Sequence, residues 1–394
     1  MKNKKSFLQG ALCGALAILL IVGVVSCGVN SGSGLGAKGV VSPGVKKKLS
    51  ILKELIDQNY LHEADETALE EGIYEGYISG LDDLYSVYYD EEDTKALMET
   101  TEGEYEGIGA VMTQDKDSGV ITLTHVYDDS PAMKAGLKDN DILYMVEDAE
   151  VTGEDLNEVV SRIKGEKGTQ VKMTVLRGAK NKKVEVTVTR GKIEVETVET
   201  KMLEDNIGYL AVSEFDSVTY EQYEEGLKKL EKEGMEGLVV DLRGNPGGNL
   251  QTVCDILDLM LPEGLIVYTE DKDGNREDAS SDEEHQFTLP LTVLVDANSA
   301  SASEIYAGAI QDYGLGKIVG TTTYGKGVVQ QIYDLKDGTC LKLTIAEYYT
   351  PKGRNINGKG ITPDVEVRYD YDEDDPDADN QLDKAVEELK KEMK

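Results

Sequence analysis

Leu238-Val-Val-Asp-Leu-Arg-Gly-Asn-Pro-Gly-Gly248 decides the fold: a near-continuous apolar run feeds directly into a turn of small residues. A short run without polar alternation is the pattern of a strand buried on both faces, as in a parallel sheet covered by helices. Beyond the turn, Val253, Ile256, Leu257 and Met260 recur at helical spacing. The arrangement repeats downstream, where residues 292–295 enter Asn298-Ser-Ala-Ser-Ala-Ser-Glu304 and a helix is predicted over 305–311. Two strands that each deliver a small-residue turn to a helix start predict an α/β core. Helix N-termini present unpaired N–H groups and the positive end of the dipole, which suits them to hold an oxyanion.

Upstream, residues 102–193 alternate strand and helix signals. Ser130 and Pro131 read as cap and first-turn proline of a short helix, which Gly136 closes with Leu137 folding back. A strand from Asp141, a helix over 154–164 with Leu156, Val159, Val160 and Ile163 on one face, and strands over 170–176 and 184–189 complete the unit. Ser130-Pro-Ala-x-x-Ala-Gly-Leu137 with Asp141-x-Leu143 resembles a bacterial PDZ domain, and Gly107-Ile108-Gly109-Ala110 resembles that family's carboxylate-binding loop. The resemblance implies that N–H groups of this loop converge on a peptide's terminal carboxylate, while the strand from Val111 accepts the peptide as an added strand. The plainer alternative is a hairpin with glycine bends.

After the second turn comes Thr321-Thr-Thr-Tyr-Gly-Lys-Gly-Val-Val-Gln330. With a helical segment, the PDZ-like unit and the two turns in this order, most of the chain resembles the carboxyl-terminal processing (tail-specific) proteases. That resemblance implies a multidomain α/β protein with a crotonase- and Clp-protease-like serine protease core. It implies Ser301 as nucleophile, Lys326 as general base and Gln330 as the residue orienting the lysine. Ala302 and Gly247 become the oxyanion N–H donors, with Gly248 the alternative to Gly247. Asp83-Leu84-Tyr85-Ser86 lacks the proline common after the aspartate in the family. Lys164-Gly165 stands where arginine-glycine is common, a difference that bears on how the PDZ-like unit communicates with the site.

The chemistry agrees. A lysine acts as a base only when neutral, so its pKa of about 10.4 must fall towards roughly 7–8, a shift that burial can supply. Gly325 and Gly327 permit close backbone packing around Lys326. On one straight strand Lys326 and Gln330 would face the same side about 13 Å apart, so contact requires a bend. Ser301-x-x-Glu304 is also a capping box; the lysine segment decides for the nucleophile. Glu304 then caps and positions, Asp312 is a weaker candidate of the same kind, Ser299 and Ser303 serve turn hydrogen bonds, and Asp241 holds the glycine turn.

Seventy-six acidic against 41 basic residues give the 394-residue chain a net charge of −35, which argues against nucleic acid as a partner. The length calls for two or three domains. Cys13, Cys27, Cys254 and Cys340 form no C-x-x-C pair, and none of His62, His125 and His285 completes a zinc site, so no metal or other cofactor is expected. Lys2, Lys4 and Lys5 precede an apolar run over 7–25, long enough to span a bilayer, and Val24-Val-Ser-Cys27 also fits a lipoprotein cleavage site. Retained anchor or acylated Cys27, either leaves the rest on the extracytoplasmic face of the cell membrane.

The expected domains are the membrane segment 1–27, a Gly/Ser-rich linker 28–44, a helical domain 45–100, a PDZ domain 101–192, a peptidase core 193–369, and an acidic linker with a helix, 370–394. The apolar faces within 45–100 either join two copies or pack on their own core. The expected activity is endopeptidase cleavage of protein or peptide substrates with accessible C-terminal tails. One rival is an inactive PDZ-bearing adaptor, disfavoured by the complete Ser301, Lys326 and Gln330 set. The other is a thioester-acting enzyme, which would have no use for a peptide-binding unit.

Overall fold

The structure, a computed structural model, describes residues 41–393 apart from 373, 374, 376 and 377. The expected membrane segment, with Cys13 and Cys27, lies outside the described residues. Among the described residues no helix is long and apolar enough to cross a membrane. The chain forms two compact units, one made of residues up to 95 with 330–345 and the other of 96–329 with 346 onward.

In the first unit, helix Pro43–Asn59 starts where Ser42 Oγ accepts the Val45 N–H at 3.3 Å and Pro43 fills the first turn, so the helix begins inside the expected linker. Helix Glu66–Ser79 starts on Asp65. Neither contains a buried residue, and Ile51, Leu52, Leu55, Ile73 and Tyr77 stay exposed. The unit is not purely helical. Strand Val87–Tyr89 pairs antiparallel with Cys340–Tyr349, Val87 opposite Lys342 and Tyr89 opposite Cys340. Its β-branched and aromatic residues favour a strand, yet its partner lies far along the chain, where no local period reports it.

In the second unit, strands Ala110–Gln114, Ile121–Val126, Asp141–Val146, Gln170–Arg177 and Lys182–Thr189 pair in that order in an antiparallel sheet. Ile121, Leu123, Leu143 and Met173 fill its core. Helix Pro131–Ala135 has the expected ends: Ser130 Oγ accepts the Met133 N–H at 3.1 Å, Gly136 sits at φ 89°, and the Leu137 N–H donates to Ala132 O at 3.0 Å. Helix Leu156–Ile163 starts on Asp155, slightly later than the periodicity suggested.

The second sheet of this unit runs Val198–Met202, Ile207–Val212, Gly237–Asp241, Leu291–Val295, Gly316–Gly320, Val365–Glu366. Only its first pair is antiparallel. Every residue of Gly237–Asp241 and Leu291–Val295 is buried, as central parallel strands require. Helices Thr219–Lys232, Leu250–Met260 and Ala302–Tyr313 cover the face carrying Leu238, Val240, Val293 and Val295. The other face, with Tyr209, Val239, Leu294 and Val319, is closed by Ala385 and Leu389 of helix Asn380–Glu392.

That last helix packs on the core sheet. Asp379 caps it and pairs with Arg243 at 2.7 Å, and Arg243 also pairs with Asp241 at 2.6 Å. The acidic stretch therefore delivers a helix into the core sheet rather than away from it. The amphipathic pattern announced the helix but not its partner. Leu389→Ala is expected to destabilise the chain by about 2–5 kcal/mol, the usual range for emptying a buried leucine site. An unchanged urea midpoint would contradict this packing.

Candidate active site

Ser301 caps helix Ala302–Tyr313 with φ 54° and ψ −114°. A non-glycine residue held in such a sparsely populated region stores roughly 1–3 kcal/mol of strain and persists only when its surroundings over-determine it. Here the surroundings are the glycine turn that ends Gly237–Asp241. Asn245 O accepts the Ala300 N–H at 3.0 Å and the Ser303 hydroxyl at 3.0 Å, while Asn245 Nδ2 donates to Val212 O at 2.9 Å. Ser299 Oγ donates to Leu242 O at 2.7 Å. A Cβ on Gly247 would fall 2.7 Å from Ser301 Cβ and 2.9 Å from Ala302 N, so only glycine lets the two turns approach. The Gly247 N–H donates to Asn245 Oδ1 at 2.8 Å, and its carbonyl accepts the Phe215 N–H at 2.9 Å.

The lysine turn is fixed to the serine turn by Glu304, which is fully buried. Glu304 Oε2 accepts the Ser301 N–H and the Lys326 N–H, each at 2.9 Å. Oε1 accepts the Gly325 N–H at 2.8 Å and the Thr323 hydroxyl at 2.5 Å. On the carbonyl side, the Tyr348 hydroxyl lies 2.6 Å from Lys326 O and 3.0 Å from Ser301 O. Backbone crowds around the lysine: a Cβ on Gly325 would lie 2.9 Å from Lys359 N, and one on Gly327 would lie 2.5 Å from Asn357 N. Ser301 and Lys326 are both half-buried.

Ser301, Ala302, Gly247 and Lys326 thus meet within the second unit. Gln330 belongs to the first, where its side-chain amide donates to Thr344 Oγ1 at 3.3 Å. Asp312 stands apart from the brace, holding the Lys352 N–H at 2.8 Å and pairing with Arg354 at 2.6 Å. In the loop 107–110, Ile108 is buried with its carbonyl accepting the Ala132 N–H at 2.8 Å. Gly109 sits at φ 76°, its carbonyl accepts the Tyr127 N–H at 3.2 Å, and Ala110 opens the first strand of that sheet. Sequence reasoning missed Asn245 and Tyr348. Asn245 lay in plain view between the glycines, whereas nothing local marks Tyr348.

The sequence matches peptidase family S41 over residues 206–367 and a PDZ domain over 107–188. Residues 38–93 match the N-terminal domain of the activating protease CtpB. It is 37% identical over 329 residues to the carboxy-terminal processing protease CtpB of Bacillus subtilis, covering 82% of this chain and 68% of the relative. It is 36% identical over 363 residues to CtpA of the same organism, covering 90% of this chain and 77% of the relative. The chain belongs to the carboxy-terminal processing proteases. A solved structure described as an S41 protease from Bacteroides fragilis, 17% identical, covers 84% of this chain and 91% of its own with a TM-score of 0.51, a likeness of fold alone.

This processing protease is therefore a serine-type peptidase with a PDZ domain. Beside its glycine turn, Glu214 and Asp216 flank Phe215, whose carbonyl accepts the Asn249 N–H at 2.7 Å. Burial, and then Glu214, push the Asp216 carboxyl up to about 7. A carboxyl raised above its unfolded value favours folding most below about pH 4, and that contribution is lost as pH rises through about 7. Asp216→Asn should gain stability relative to the parent chain over that interval and level off above it; a pH-independent difference in urea midpoint would contradict this.

Glu304→Gln places an amide among four donors and removes charge-assisted bonds of about 1.5–3 kcal/mol each. It is expected to lower kcat at least 10-fold and to lower Tm. Full activity would show that the brace does not position the site.

Proposed function

We propose that this protease docks the C-terminal tail of a protein or peptide on its PDZ domain and cleaves near that end by acyl transfer to Ser301, with Lys326 as the base. One observation carries the reading: a single oxygen, Glu304 Oε2, accepts both the Ser301 and the Lys326 N–H. Neutral Lys326 takes the hydroxyl proton as Ser301 Oγ attacks the scissile carbonyl, and returns it to the departing amine. Water then releases the acyl group by the same route. The oxyanion draws on the Ala302 N–H at the helix start and on the glycine turn. With the Gly247 amide given to Asn245, Gly248 supplies the second donor.

The domain reading that goes with this is a PDZ domain over 101–192 and a peptidase core from 193 that takes in the C-terminal helix. The N-terminal segment holds the protein at the extracytoplasmic face of the membrane, as anchor or lipoprotein, and Lys2, Lys4, Lys5 and the apolar run support it. Two copies associate through helices Pro43–Asn59 and Glu66–Ser79. The support is the exposed apolar set Ile51, Leu52, Leu55, Ile73 and Tyr77, more than isolated surface residues would present.

Cleavage of a loosely folded protein with an apolar C-terminus is expected to fall about 10³-fold or more in Ser301→Ala and in Lys326→Ala. Lys326→Arg should not recover it, because a guanidinium keeps its proton. Undiminished turnover in any of the three would remove the dyad.

A further inference from the structure

Every backbone N–H and carbonyl of Gly325-Lys-Gly327 is held. Glu304 takes the first two N–H groups, and the Tyr348 hydroxyl donates to the Lys326 carbonyl. The other three bonds also come from distant residues. The Gly358 N–H donates to Gly325 O at 2.8 Å, the Tyr348 N–H donates to Gly327 O at 3.1 Å, and the Gly327 N–H donates to Asn357 Oδ1 at 3.3 Å. Both neighbours of the lysine are therefore tied to segment 355–361, to which the mechanism above gives no part.

That segment is anchored at two buried points, Ile356 and Ile361, in the same apolar cluster as Ile305 and Tyr306 of the serine helix. Between them the chain passes so close to the lysine turn that a Cβ on Gly360 would fall 2.3 Å from Thr323 O, and one on Gly327 would fall 2.9 Å from Asn357 Cβ. Asn357 is exposed, so burial does not dictate where its side chain points. Its own N–H is set by Asn355 Oδ1 at 2.9 Å, and Asn355 Nδ2 in turn donates to Glu347 Oε2 at 2.9 Å. An amide oxygen accepts the Gly327 N–H without a charge. A carboxylate in its place would put a negative charge on the lysine turn and favour the protonated amine.

We propose that Asn357 is a positioning residue for Lys326, fixing the far side of the lysine turn as Glu304 fixes its near side. It acts through the Gly327 peptide and not on the reacting atoms. Its bond is the longest of the six, and bonds that place a catalytic group commonly tighten only once substrate is bound. Without that acceptor the Gly327 peptide is free to turn. A base misplaced by about 1 Å loses much of its efficiency, so the loss falls on turnover rather than on binding. The inference rests on Lys326 being the base, as proposed above.

The test measures kcat and KM against pH with a quenched fluorescent peptide ending in apolar residues. It uses the full chain in detergent and its Asn357→Ala, Asn357→Asp and Lys326→Ala forms. Asn357→Ala should lower kcat about 3–10-fold, the weight of one net hydrogen bond, and leave KM unchanged. Aspartate keeps an acceptor oxygen at the same place. Asn357→Asp should therefore recover the parent kcat on the alkaline plateau, where the amine is neutral whatever charge lies beside it. A parent-like kcat in Asn357→Ala overturns the positioning role. So does a loss that Asn357→Asp fails to recover on that plateau, since it marks a general loosening of the segment. Full turnover by Lys326→Ala would instead remove the base, and this inference with it.

Discussion

A carboxylate buried without water must be fully hydrogen-bonded or it destabilises the fold. Glu304 meets that condition by drawing four donors from two separate chain segments onto its two oxygens. It sits in the first turn of helix Ala302–Tyr313, where the dipole favours negative charge. Local capping and long-range positioning are therefore one act. The same carboxylate that finishes the helix start fixes where the lysine turn must lie.

The strained backbone at Ser301 follows from this brace. Its φ of 54° persists because the N–H is held by Glu304, the carbonyl lies within reach of Tyr348, and the preceding turn is stitched to Asn245. Gly247 lets the facing turn come within contact of Ser301 and Ala302. The buried parallel strands Gly237–Asp241 and Leu291–Val295 supply the frame, since adjacent parallel strands deliver their following turns to the same end of the sheet. Gly316–Gly320, which leads to the lysine turn, runs parallel beside Leu291–Val295, so the serine and lysine turns also leave the sheet at the same end.

Much of this was legible in residue order. The apolar runs at 238–242 and 292–295, the cap at Ser130 and the left-handed Gly136 are local signals, and the structure carries each where its chemistry placed it. Ser301 and Lys326 stand in motifs visible in the sequence, and Glu304 joins their backbones. What could not be read depends on contacts between distant segments. Strand Val87–Tyr89 exists because Cys340–Tyr349 runs beside it. Helix Asn380–Glu392 is core because Ala385 and Leu389 meet Tyr209 and Val239. Tyr348 bridges two carbonyls without any periodic mark.

The central claim is that the amine of Lys326, whose backbone Glu304 ties to that of Ser301, is neutral near physiological pH. An NMR titration of ¹³Cε-labelled lysines in the peptide-bound protein, assigned by comparison with Lys326→Arg, measures it directly. The account expects one lysine resonance to titrate near 7–8 and to be missing from the variant. A Lys326 resonance titrating near 10.4, with the other lysines, would contradict it.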